Sequence, residues 1–223
     1  MSSPQKNTSL IKSRKRVVER GEVFTDEREV KAMCDLVSDE CLRADSRFLE
    51  PACGDGNFLS EILKRKLSEL RRKYKRSPRD YEKHSIVAIG SIYGVDIMAD
   101  NVEACRARLF NIWNKEYTSH CKKEASDETR DAAKFILSRN IINGNALTLM
   151  CVDSDGNDTT EPIVFSEWSL LVGPQIQRRD YYMANLLNEN KTLFTSPDYQ
   201  NEDGGIFINR YVTHYKKVQD YGK

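Results

Sequence analysis

The run Phe48-Leu-Glu-Pro-Ala-Cys-Gly-Asp-Gly-Asn-Phe-Leu59 constrains this chain more than any other stretch. Phe48 and Leu49 read as a buried strand, Glu50 as its acidic end, Gly54-Asp55-Gly56 as a tight turn, and Asn57 as the opening of a helix. Glycine suits such a turn because it lacks a Cβ and tolerates positive φ, letting the backbone approach a ligand closely. The helix that follows presents unpaired N–H groups and the positive end of its dipole. Glu50 has the opposite preference, for a cation. The turn therefore suits a ligand that carries both an ammonium group and a carboxylate.

Two later strand ends extend this site. Ile92-Tyr-Gly-Val-Asp-Ile97 is a second apolar strand with Asp96 near its end. An acid after the second strand of a βαβ unit hydrogen-bonds ribose hydroxyls. Ile141-Ile-Asn-Gly-Asn-Ala-Leu147 is a third short strand ending at Asn145. An amide there can donate to one nitrogen of an adenine edge and accept from the exocyclic amine. In chain order the three ends offer an amino-acid site, a ribose site and an adenine site, the three parts of S-adenosylmethionine.

The intervening segments alternate with these strands. Apolar spacing (Val30, Met33, Leu36, Val37) predicts a helix over 26–43, with Thr25 or Asp26 as N-cap. A long helix is expected from Asn57 to about Arg76, stopped by Ser77-Pro78, with 80–84 leading through Ile86–Ile89 into the second strand. Helices are expected from Asp100 to about Trp113, from Glu128 to Leu137 and from Arg178 to Asn190. Residues 150–223 otherwise read as irregular, with Asp153–Asp158 a hairpin turn that lacks the full calcium-loop pattern. Strand–helix alternation argues for a mostly parallel α/β sheet with helices on both faces, and for a ligand outside the carboxyl ends of the strands. The stretch from Gly56 to Asp96 is longer than the roughly 30 residues of a minimal βαβ unit. The excess is a basic extension, Lys64–Arg79, read as a solvated helix face or as a phosphate contact.

The three strand ends resemble motifs I, II and III of S-adenosylmethionine-dependent methyltransferases. The wording around Gly54 and Gly56, with Arg20-Gly-Glu-Val-Phe-Thr25 upstream, is similar to DNA adenine-N6 methyltransferases of restriction–modification systems, in particular subunit M-like proteins. The resemblance runs from about Lys15 onward. It implies a Rossmann-like class I methyltransferase domain over 14–223, incomplete at its C-terminal side, after a disordered tail at 1–13. It also implies cofactor contacts by Phe24 and Thr25 (motif X), by Glu50, Pro51, Ala52, Gly54, Gly56, Asn57 and Phe58 (motif I), by Asp96 and Ile97 (motif II), and by Asn145 and Ala146 (motif III). The family's fourth motif, Asn/Asp/Ser-Pro-Pro-aromatic, positions the target amine and stacks on the flipped base. Its nearest counterpart is Ser196-Pro197-Asp198-Tyr199, where Asp198 replaces the second proline. Ser196, Pro197 and Tyr199 are thus the weak catalytic candidates. Three readings follow: a DNA adenine methyltransferase, truncated or split; a non-catalytic S-adenosylmethionine-binding module completed by a partner polypeptide; or a methyltransferase acting on RNA or protein.

Bulk properties narrow the partners. The chain has 223 residues, enough for one domain with a substantial core. The net charge of +1 supplies no global field for nucleic acid, so duplex DNA contact is expected to be weak and local, at Lys12–Arg16 and Lys64–Arg79. No apolar run approaches the ~20 residues of a membrane span, and Met1–Thr8 lacks a signal-peptide core. The expectation is a cytoplasmic protein with no membrane partner. The six cysteines lack paired metal spacing and the three histidines lie far apart, so reduced thiols and no metal are expected.

Overall fold

The computed structural model describes residues 25–187 and 207–221. Asp26 caps the first helix, α1 (Glu27–Leu36), by accepting from Arg28 N at 2.8 Å, and Glu27 and Glu29 complement its positive end. The backbone leaves helical geometry at Val37 and resumes in α2 (Ser38–Leu42), so the single helix expected over 26–43 is two. Strand β1 (Phe48–Glu50) leads through the glycine turn to α3 (Asn57–Lys73). Leu59, Ile62, Leu63, Leu67 and Leu70 bury one face of α3. Lys66 shares that face and is fully buried, its ammonium donating to the carbonyls of Arg43 (2.5 Å), Ser46 (2.6 Å) and Ala44 (3.4 Å). It ties the loop before β1 to the helix after it.

Ser77-Pro78 corrects the sequence reading. It starts a helix, α4 (Pro78–Gly90), with Ser77 as N-cap and Pro78 in the first turn. Proline is pre-organised for that position because its missing N–H would be unpaired there anyway. Ile86–Ile89 are therefore buried helix, and the long connection between β1 and β2 (Ile92–Asp96) is two packed helices. Next come α5 (Ala99–Cys121), which outruns its expected end by two turns, and α6 (Asp127–Asn140), capped by Ser126. Strand β3 (Ile141–Asn145) follows, then β4 (Met150–Val152) and β5 (Asp158–Pro162). The turn between β4 and β5 is closed by Asp153, whose carboxylate accepts from the amides of Asp155 and Asn157, both at 2.9 Å.

The molecule is α/β with a mixed five-stranded sheet in the order β1-β2-β3-β4-β5. Its first three strands are parallel, with Glu50 opposite Gly94 and Gly94 opposite Ile141. The β3–β4 and β4–β5 pairs are antiparallel. The α3–α6 helices bury Ile92 and Ile141 on one face. On the other face Tyr93, Val95 and Ile142 pack against Ile163, Phe165 and Met183 from later in the chain, where a second helical layer was expected.

That later chain departs most from the sequence reading. Arg178–Asn190 is not one helix, and the described part of 150–223 is not irregular. It forms a three-stranded antiparallel sheet of β6 (Val164–Leu170), β7 (Gln175–Tyr182) and β8 (Phe207–His214), with a short α7 (Met183–Leu187) and a final 3₁₀ helix, Tyr215–Asp220. Arg178 and Asp180, two apart on β7, share one face of the strand and are buried as a bidentate pair at 2.8 Å. Phe135, Trp168 and Tyr211 surround the guanidinium, 5.0–5.7 Å from their ring centres. A charged pair buried inside an aromatic cage reads, in sequence, as a polar helix face.

The 3₁₀ helix docks on the helical layer through Glu82. This buried carboxylate accepts from Tyr117 (2.6 Å), Thr129 (2.6 Å) and Tyr215 (2.7 Å), and Lys216 Nζ lies 3.0 Å away. Among the described residues no helix is long and apolar enough to cross a membrane.

Candidate functional site

At the carboxyl ends of β1, β2 and β3 lies a cleft of ≈ 610 Å³. Its walls include Thr25, Glu50, Pro51, Ala52, Gly54, Asn57, Phe58, Asp96, Ile97, Asn145 and Ala146. The sequence-derived candidates from four separate segments thus meet in one place. Gly56 does not line the cleft, and Phe24, Ser196, Pro197 and Tyr199 lie outside the described residues.

The turn is built from backbone geometry that few sequences permit. Cys53 N donates to Val95 O at 2.9 Å, pinning the turn to β2, and Gly56 N closes it onto Cys53 O at 2.8 Å. Gly54 and Gly56 take φ of 52° and 86°. A Cβ at Gly56 would also stand 2.7 Å from Cys105 Sγ on α5, so α5 packs this close only against glycine. Gly94 has the same role on β2, where a Cβ would lie 2.9 Å from Cys53 Sγ. The Cys53 thiol is held protonated by its hydrogen bond with Cys105 and by burial, both of which push its pKa up.

Asp96 organises the middle of the cleft. One carboxylate oxygen accepts from Gly54 N (2.9 Å), the other from Met98 N (2.8 Å) and Asn101 Nδ2 (3.3 Å). The acid at the end of β2 thereby fixes the glycine turn of the neighbouring strand. Glu50 is half-buried beside that turn, and burial raises its pKa against the opposing pull of the Ala52 backbone N–H. No cationic side chain among the described residues pairs with it. The first turn of α3 has neither a side-chain cap on its amides nor an acid of its own. A desolvated carboxylate and an uncapped helix start thus face one cleft, the pairing that an ammonium and a carboxylate on one ligand would satisfy. Asn145 lines the third end but is engaged locally. Its Nδ2 donates to Asp158 at 3.2 Å and its Oδ1 accepts from Leu147 N at 3.0 Å.

Sequence reasoning missed several wall residues. Val30 and Met33 of α1 give the cleft an apolar side, and Met98 and Asn101 flank Asp96. Asn101 was findable, lying five positions after the acid in the first turn of α5. Arg108 was not. It reaches back from α5 to bond Asn57 Oδ1 at 2.9 Å and the Asp55 carboxylate.

Within the basic extension Arg71 pairs with Glu116 (3.0 Å) and Arg72 with Glu69 (2.6 Å), and Lys73 lies over the Tyr74 ring. A larger hollow, ≈ 760 Å³, lies away from the cleft among Arg47, Tyr74, His84, Glu167 and Trp168. Among its charges Arg47 pairs with Glu167 at 3.2 Å and Arg43 with Asp45 at 3.6 Å. All six cysteines are free thiols, and no group of three or more metal-ligating side chains occurs among the described residues. No protein-family profile, curated protein or solved structure matches the chain.

Proposed function

We propose that the cleft binds S-adenosylmethionine and that the chain serves adenine-N6 methylation of DNA. The observation that carries the cofactor reading is the convergence of Glu50, the Gly54 turn, Asp96 and Asn145, in chain order, on one cleft at three successive parallel strand ends. Glu50 would take the ligand's ammonium, the first amides of α3 its carboxylate, Asp96 the ribose hydroxyls and the β3 end the adenine. The bound cofactor would supply an electrophilic methyl group. The chain's own residues would hold that group in line with an acceptor nitrogen, the positioning on which such transfers depend.

Titration calorimetry with S-adenosylhomocysteine tests this. Wild type should bind, and Asp96→Ala should lose ~1–3 kcal/mol, the cost of leaving polar groups unpaired. The absence of binding at millimolar ligand refutes the cofactor reading.

The acceptor side rests on the resemblance of Ser196-Pro-Asp-Tyr199 to an Asn-Pro-Pro-Tyr motif. Asp198, a carboxylate where a rigid proline and a neutral base belong, favours a second reading: a cofactor-binding subunit that needs a partner polypeptide for the acceptor. A tritiated-methyl assay on duplex DNA separates the two. Incorporation by the chain alone, lost in Tyr199→Ala, supports the enzyme, and incorporation only after adding a partner supports the subunit.

A further inference from the structure

The cleft's amino-acid end is braced from behind by a side chain that does not line it. Arg108 projects from α5 and forks between two residues that do. One arm bonds the Asp55 carboxylate and the other donates to Asn57 Oδ1 at 2.9 Å. Asn57 passes the restraint on, its Nδ2 donating to the backbone carbonyl of Thr25 at 2.9 Å. Asp55, Asn57 and Thr25 are all wall residues, and they lie 32 positions apart in sequence at the extremes. One guanidinium thus fixes the turn, the start of α3 and the segment entering α1 relative to one another.

We propose that Arg108 is a positioning residue for the carboxylate-bearing end of the ligand. The proposal rests on the cofactor reading above. Two effects combine. The Arg108–Asn57–Thr25 relay sets the width of the cleft where the turn meets the segment before α1. The guanidinium also neutralises Asp55, which stands beside the uncapped amides of α3. Without Arg108 that carboxylate would oppose any anion approaching those amides. With it, that charge is countered at Asp55 Oδ2. Arginine suits the task because its planar fork spans two acceptors at once, which a lysine ammonium cannot do with the same geometry.

The test compares two ligands on the full chain. S-adenosylhomocysteine carries the amino-acid end, and 5′-methylthioadenosine lacks it. Arg108→Met should weaken the first on the order of tenfold, the scale of one lost charged contact, and leave the second unchanged. Asn57→Asp keeps an acceptor for Arg108 and removes the donor to Thr25, and should shift the same ligand in the same direction. Adding Asp55→Asn to Arg108→Met removes the exposed charge and should recover part of the loss, which a merely structural role would not do. Equal weakening of both ligands by Arg108→Met and by Asn57→Asp, or no change in either, overturns the proposal. If wild type binds neither ligand, the cofactor reading itself fails.

Discussion

Glu82→Gln should cost about 3 kcal/mol of stability, because the change is nearly isosteric yet removes the charge on which four donors converge. In the native protein Oε1 accepts from Tyr117 and Thr129, both at 2.6 Å, and lies 3.0 Å from Lys216 Nζ, while Oε2 accepts from Tyr215 at 2.7 Å. The carboxamide keeps one oxygen and puts an NH₂ against the Tyr215 hydroxyl. Hydrogen bonds to an ionised partner contribute ~1.5–3 kcal/mol and neutral ones ~0.5–1.5, so three demoted hydroxyl bonds lose about 1 kcal/mol each. Lys216 adds little, since its side chain keeps contact with water and can be resolvated. Urea unfolding followed by circular dichroism measures the change, with the slope m unaltered. The pH dependence gives an independent check. Burial alone would raise the Glu82 pKa, but its donors outweigh burial and hold it below the ordinary value of 4.5. The stabilisation is therefore present above pH 4.5 and is lost as pH falls through the lower folded value. The glutamine variant should lack that acid limb. A change under ~0.5 kcal/mol, or an unchanged acid limb, would show that the hydroxyls find equivalent partners without the charge.

Other outcomes follow from buried groups. Burial pushes the thiols of Cys34 and Cys121 up to about 12 from 9.0. Above pH 9 the unfolded chain releases these protons and the folded one does not, so stability should fall by about 1.4 kcal/mol per pH unit per thiol. Lys66 acts in the opposite sense, because burial lowers it to about 8 and the unfolded state holds that proton longer, offsetting about one thiol. Urea midpoints should therefore rise between pH 8 and 9, where Lys66 acts alone, and fall between 9 and 10.5, where the two thiols outweigh it, with that fall largely absent in Cys34→Ala; no fall above pH 9 in wild type would show that these thiols ionise in the folded state. Gly94→Ala should destabilise by ~1–3 kcal/mol, since the new Cβ lies 2.9 Å from Cys53 Sγ and 3.1 Å from Leu59 Cδ1. Cys53→Ala in the same background should return part of that loss, and no recovery would place the strain elsewhere.

The sequence displayed the cleft better than the fold around it. Glycines, strand ends and an acid at fixed spacing reflect local backbone demands, so Glu50, Gly54 and Asp96 could be read one segment at a time. Ser77-Pro78 was misread because the same dipeptide ends one helix and starts another, and only the burial of Tyr81, Ser85 and Ile86 decides between them. Arg178, Glu82 and Arg108 depend on partners as far as 43, 134 and 53 positions away, respectively. No local pattern announces such contacts. Strand β7 was hidden for that reason, since its buried charges look solvent-facing until the aromatic cage around them is known.

The docking of the 3₁₀ helix also bears on how this protein is made. Synthesis delivers α4, α5 and α6 long before Tyr215 and Lys216. Until then Glu82 has Tyr117 and Thr129 as donors but lacks the other two. Arg178 likewise waits for Tyr221, whose carbonyl accepts from it at 3.0 Å. A nascent chain can therefore assemble the parallel strands and their helices while the wall that Tyr215 and Val218 will cover stays open to water and to chaperones. Ribosome-stalled intermediates should show protease protection in two steps, the second arriving only when residues 215–221 clear the exit tunnel.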